Sequence, residues 1–135
     1  MYEGVYGVKY LLDTHMIIWY FKASLDLLGK MKELIQSPQN EVFISSASLW
    51  EIAIKSSLGK LDLSFTFDEL TKDVNDRGFK ILQIETEYLK HLSKLPLIHK
   101  DPFDRILVAT AQAEKLTLVT ADENIHKYDI PISWN

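Results

Sequence analysis

The stretch HKDPFDRILVATAQAEKLTLVTAD, residues 99–122, reads as one helix followed by one buried strand, with acids at both entrances. Asp101-Pro102 is a strong helix start: Asp caps the free N–H groups, and Pro at the first helical position loses no needed hydrogen bond. Ile106, Leu107, Ala109, Thr110, Ala111 and Ala113 then present a face of mostly small residues, suited to packing closely on a sheet. Leu116 to Thr120 (LTLVT) is short, apolar and partly β-branched, which predicts a buried parallel strand. Ala121-Asp122 follows it directly. In an open α/β sheet, ligands sit beyond the carboxyl ends of the strands. Asp122 is therefore expected where chemistry happens, with Asp104 in the first turn of the preceding helix.

Working outward, the rest of the chain alternates in the same way. Met1 to Gly7 reads as a short N-terminal extension. Val8 to Leu12 is a first strand ending in Asp13, with Thr14 as a helix cap ahead of Ile17, Ile18, Trp19 and Phe21. A second helix is predicted over Leu25 to Gln36 and a second strand over Val42 to Ser45. Ser46 or Ser48 is expected to cap a helix carrying Trp50, Glu51, Ile54 and Leu58 and stopping near Gly59. Further helices are predicted over Phe67 to Asp76 and Thr86 to Leu95, with a strand at Lys80 to Ile84 between them. A turn at Glu123 to Tyr128 and an edge strand near Pro131 to Trp134 complete the chain. Strands alternating with helices imply a three-layer α/β/α arrangement around a mostly parallel sheet. At 135 residues this is one domain spanning 1–135.

Composition narrows the chemistry. The chain is 47% hydrophobic and 25% charged, ordinary for a globular protein. It has no cysteine, which excludes disulfides, thiolate zinc sites and cysteine nucleophiles and fits a cytoplasmic setting. No apolar run reaches membrane-spanning length. A net charge of −4 argues against nucleic-acid binding by bulk charge, although a cation at an acidic site reverses the local sign.

Four acids stand out: Asp13, Glu51, Asp104 and Asp122. Each has an ordinary structural explanation. Asp13 and Asp122 can cap the segments that begin just after them. Glu51 and Lys55 form an i, i+4 pair worth about 0.2–0.5 kcal/mol, though apolar neighbours leave the Glu51 carboxylate little free surface. Asp104 falls three residues after Asp101, so either Asp of DPFD could cap while the other faces a ligand. Together they are harder to explain away. Two like charges about 4 Å apart repel by about 4 kcal/mol at an effective dielectric of 20. Carboxylates gathered at one edge therefore need protons or a hard cation, and oxygen donors suit magnesium or manganese. His15 could line such a site; His91, His99 and His126 read as surface or cap residues.

LLDTH (11–15), SSASLWEIAIKSSLGKL (45–61), HKDPFDRILVATA (99–111) and LTLVTAD (116–122), in that order, resemble the PIN-domain ribonucleases, specifically the VapC-type toxins of prokaryotic toxin–antitoxin pairs. The resemblance runs from about Val8 to Trp134. It implies an α/β/α sandwich and an acidic site of Asp13, Glu51, Asp104 and Asp122 holding Mg²⁺ or Mn²⁺, with Asp101 in reserve. It implies an endoribonuclease that hydrolyses RNA phosphodiesters with metal-activated water, with Lys55, Lys60, Lys100 and Arg105 positioning phosphates. It further implies a cognate antitoxin and a homodimer. The apolar residues between Met16 and Ile35 are more than one sheet face needs, and predict an exposed surface for such partners. Two other readings remain: a non-catalytic binding module on this fold, and an aspartyl-phosphate phosphatase. The latter wants a second Asp two residues after the first, and here that residue is His15.

Overall fold

A computed structural model describes residues 7–27 and 29–134; the N-terminal extension up to residue 6 lies outside them. Five strands form one all-parallel sheet: β1 (Lys9–Leu12), β2 (Glu41–Ser45), β3 (Lys80–Leu82), β4 (Thr117–Val119) and β5 (Ile132–Ser133), in the order β3-β2-β1-β4-β5. Helices α1 (Thr14–Phe21), α2 (Gly29–Gln36), α3 (Ser46–Ser57), α4 (Phe67–Asp76), α5 (Thr86–Lys94) and α6 (Pro102–Glu114) supply the crossovers.

The period-2 alternation of the strands divides the core between two faces. Leu12, Val42, Ile44 and Val119 face Met16 and Ile17 of α1, Met31 and Ile35 of α2, and Leu70 and Val74 of α4. Leu11 and Leu118 face Tyr88 of α5 and Ile106 to Ala109 and Ala111 of α6, with Phe43 packed alongside. Helix α3 serves both, through Ile52 on one side and Ala47 on the other. This is the expected α/β/α sandwich.

The helix starts are chemical. Asp13 caps α1 by accepting from the Met16 N–H at 2.8 Å, and Ser45 caps α3 by accepting from Ala47 at 3.0 Å. Thr66 and Glu69 form a reciprocal capping box on α4. The caps expected at Thr14 and at Ser46 or Ser48 thus fall one or more residues earlier. Other differences have local causes. Helix α2 begins at Gly29 rather than Leu25, because the Ser24 hydroxyl accepts from the Asp26 N–H and holds a turn in competition with helix. Strand β3 stops at Leu82 rather than Ile84: its partner Ser45 is the last residue of β2, so no ladder exists beyond it.

The apolar surplus between Met16 and Ile35 does not form the contiguous exposed patch predicted. Met16, Ile17, Leu27, Met31 and Ile35 are buried, and Ile18, Trp19, Tyr20, Phe21 and Leu34 pack partly buried against the same core. Leu25 alone of these is fully exposed, at 98%; Leu28 lies outside the described residues. Large exposed apolar side chains instead gather on the opposite layer. There Trp50, Ile84 and Leu89 border an apolar cavity of about 220 Å³ with Phe103.

Candidate metal centre

The strand order reverses between β1 and β4, and that switch point is where open α/β sheets leave a crevice for ligands. Asp13 follows β1 and Asp122 follows β4 at that crevice. The Asp13 N–H donates to the Val119 carbonyl at 3.1 Å, stitching the two strand ends together. Helix α6 runs back against the strands, so its first turn, with Asp104, comes to the same edge.

Asp13 is 3% exposed. Burial pushes its carboxyl above the usual range, opposed by bonds from the Thr120 hydroxyl and the Met16 N–H; nearby His15 also lowers it, and the Asp122 charge raises it. Asp104, half-buried, is pushed up to about 6, first by burial and then by the charges of Asp101 and Asp122; His99 pulls it back and Asp13 adds a further rise. These cross-effects place Asp13, Asp104 and Asp122 within electrostatic reach of one another. Asp122 itself bonds locally: its N–H donates to the Thr120 hydroxyl at 3.0 Å and its Oδ1 accepts from Asn124 at 2.8 Å.

The DPFD ambiguity resolves in geometry. Asp101 Oδ1 accepts from the N–H groups of Phe103 (2.9 Å) and Asp104 (3.1 Å), so Asp101 is the cap and is exposed. The Asp104 carboxylate is left for the crevice.

Glu51 is brought to the neighbourhood by α3. The Thr14 hydroxyl donates to Ser48 Oγ at 3.0 Å, tying the first turns of α1 and α3, and Glu51 lies one turn beyond Ser48. Its charge is not among those acting on Asp13 or Asp104. Glu51 is 5% exposed. Its Oε2 accepts from Lys55 Nζ at 2.7 Å, while Oε1 is buried with no partner. A buried carboxylate oxygen without a donor costs about 1–3 kcal/mol, more when charged. An acceptor in that state fits a cation.

The donor set is all oxygen, like-charged and half desolvated, which suits a hard divalent ion. Among the described residues no three histidine, aspartate or glutamate side chains close into a preformed ion cage.

Two expected phosphate-positioning groups are otherwise engaged. Lys55 is held by Glu51, and Arg105 donates to the carbonyls of Pro96, His99 and Leu95 and to the Tyr128 hydroxyl. Lys60 and Lys100 are exposed. His126, expected at the surface, is exposed, and its Nε2 stands 2.8 Å from the Thr120 carbonyl. His99, also expected as a surface or cap residue, is instead partly buried beside the acids, with Nε2 3.4 Å from Asp104 Oδ2. The sequence signal for it is position, two residues ahead of the cap that starts α6.

A family profile described as the PIN domain matches residues 10–131. No curated protein matches the chain. Among solved structures, the chain is similar to VapBC2 from Rickettsia felis bound to a DNA fragment from its promoter, with 19% identity and a TM-score of 0.73, over 93% of this chain and 98% of that one. DNA-bound VapBC from Salmonella typhimurium is similar at 19% identity and TM-score 0.66, over 93% and 97%. The PIN-domain endonuclease Utp24 is similar at 18% and 0.52, over 94% and 86%. At these identities the likeness is one of fold.

Proposed function

From the chain's membership of the PIN-domain family, we propose that it is a divalent-metal-dependent endoribonuclease, the toxin of a toxin–antitoxin pair. The observation that carries the nuclease reading is that Asp13 and Asp122 follow adjacent parallel strands at the switch point with Asp104 in the first turn of α6, the carboxyls of Asp13 and Asp104 being pushed up by burial and by neighbouring carboxylates. The fold likeness to an endonuclease agrees with it. The toxin reading is supported by fold neighbours solved as VapBC complexes.

Asp13, Asp104, Asp122 and Glu51 would hold magnesium or manganese. When bound, such an ion activates water and neutralises charge building on the phosphoryl oxygens. The chain's own residues supply the rest. Asp13 is fixed by its cap bond to Met16, so its position does not depend on the ligand. Asp122 is fixed by the Thr120 and Asn124 bonds. Lys55 holds one oxygen of Glu51 and turns the other inward. Exposed Lys60 and Lys100 remain for flanking phosphates of a single strand.

Two partners complete the proposal: a cognate antitoxin that blocks the acidic crevice, and a second copy of the chain.

Cleavage of single-stranded RNA, with magnesium, manganese or chelator, tests the activity. Asp13→Asn, Asp104→Asn, Asp122→Asn and Glu51→Gln should each lose more than the ~10–100-fold typical of residues that only support a ligand. Full cleavage in chelator would reject the metal; full cleavage by folded Asp13→Asn would reject the site.

A further inference from the structure

Around Asp104 lies a chain of polar contacts whose direction can be worked out. Arg105 Nη1 lies 2.9 Å from the Pro96 carbonyl, 3.4 Å from the His99 carbonyl and 3.2 Å from the Tyr128 hydroxyl. A guanidinium only donates. The Tyr128 oxygen is therefore the acceptor there, and its own proton is free for its other neighbour. That neighbour is His99 Nδ1, at 3.0 Å. A ring nitrogen that accepts carries no proton, so the neutral ring bears its proton on Nε2, 3.4 Å from Asp104 Oδ2. The tautomer is assigned from this network. The order of donation is Arg105 to Tyr128 to His99 to Asp104. Tyr128 is buried, and the His99 side chain is 13% exposed.

Asp104 needs such a donor. Its backbone N–H belongs to Asp101, and the charges of Asp101, Asp122 and Asp13 all press on its carboxylate. Like charges would turn a free carboxylate out toward water. Nor does another histidine serve it: His126 is placed against Thr120, and His15 is exposed.

Resting on the metal-nuclease reading above, we propose that His99 is a positioning residue of the metal centre. It engages Oδ2 of Asp104 and leaves Oδ1 for the cation, with its tautomer set by Tyr128 and Arg105. At 3.4 Å the contact steers the carboxylate rather than immobilising it, so a ligand can still adjust when the ion arrives. Outer partners of this kind change metal affinity by about 10–100-fold when removed.

The test is calorimetric titration of manganese chloride into the full chain without RNA, alongside thermal unfolding in chelator. His99→Ala should weaken manganese binding by about 10–100-fold with little change in the metal-free melting temperature. His99→Gln, which keeps an N–H donor, should recover part of the loss. Tyr128→Phe keeps the ring and the core packing but removes the hydroxyl, and should give a smaller loss; it decides the question if His99→Ala fails to fold. Wild-type affinity in folded His99→Ala, or a loss that His99→Gln does not relieve at all, would overturn the role of His99. Wild-type affinity in Tyr128→Phe would overturn the tautomer assignment, and with it the role of His99 where His99→Ala does not fold. If the unmutated chain binds no manganese, or Asp104→Asn binds as tightly as it, the metal reading falls and takes this one with it. That result is distinct from an ion that binds without regard to His99.

Discussion

Replacing Asp104 by Asn should make the metal-free protein more stable at neutral pH, although it removes a charge from a helix N-terminus. In the folded chain the Asp104 carboxyl is pushed up to about 6 from 3.8, first by burial and then by neighbouring carboxylates, Asp101 the largest. At about 1.36 kcal/mol per unit the shift corresponds to about 3 kcal/mol against the ionised form. The side chain keeps contact with water, and screening there reduces this to about 1–2 kcal/mol. Asn forgoes that penalty but also loses the attraction of a carboxylate for the first turn of α6, worth about 0.3–1 kcal/mol. A net gain of about 1 kcal/mol remains, or about 3–5 °C in melting temperature for a domain of this size.

The pH dependence carries the sign. A carboxyl whose folded pKa lies above its unfolded value favours the native state while protonated. Its contribution is fully present below about pH 4 and is lost as the pH rises through about 6. The two proteins should therefore differ little at pH 4, diverge between pH 4 and 6, and keep a constant gap above about pH 7. Urea unfolding in chelator across that range measures it. Manganese should reverse the ranking: at about a hundred times Kd, ligand binding adds about 2.7 kcal/mol to the wild type and less to the variant. An Asp104→Asn protein that is less stable than wild type at about pH 7.5 in chelator would refute the idea that this carboxylate is held against its electrostatic preference.

The same geometry sets three further outcomes. Asp101→Ser should keep both cleavage and stability, because Ser caps about as well as Asp, whereas Asp101→Ala should cost about 1 kcal/mol; loss of cleavage in folded Asp101→Ser would mean the two acids of DPFD are exchanged in role. Lys55→Ala leaves both oxygens of the buried Glu51 carboxylate without the lysine, and should lower the metal-free stability by about 1 kcal/mol while manganese restores part of it; thermal unfolding with and without the ion reads this, and unchanged stability would mean water replaces the lysine. Light scattering of the isolated chain should give a dimer at micromolar concentration, and a monomer there would remove the second copy from the proposal.

Much of this was legible in the residues because the signals were local. Asp-Pro fixes the start of α6, the β-branched run fixes β4, and the position of an acid after a parallel strand fixes which edge it reaches. What stayed hidden depended on partners distant in sequence. The end of β3 was set by where β2 runs out, at Ser45, and nothing in Lys80 to Ile84 records that. Arg105 looked like a free cation until the carbonyls of Leu95, Pro96 and His99 came within its reach. The apolar surplus near α1 looked like an interface because single-helix counting cannot see that α1, α2 and α4 share one layer over the sheet.

The engagement of those cations bears on how the proposed reaction can begin. A phosphate approaching to about 4 Å from one carboxylate is repelled by about 4 kcal/mol at an effective dielectric of 20, and Asp13, Asp104 and Asp122 act together at this edge. Lys55 is spent on Glu51, and Arg105 on backbone carbonyls and Tyr128. The chain as a whole is acidic, at −4, so no general positive field offsets the repulsion. Exposed Lys60 and Lys100 remain for flanking phosphates, so at the acids themselves the attraction for an RNA phosphate comes from the cation. On the proposed chemistry, metal and substrate strengthen each other's binding, and the acids that repel the RNA in the metal-free protein are the ones that recruit it once the ion is in place.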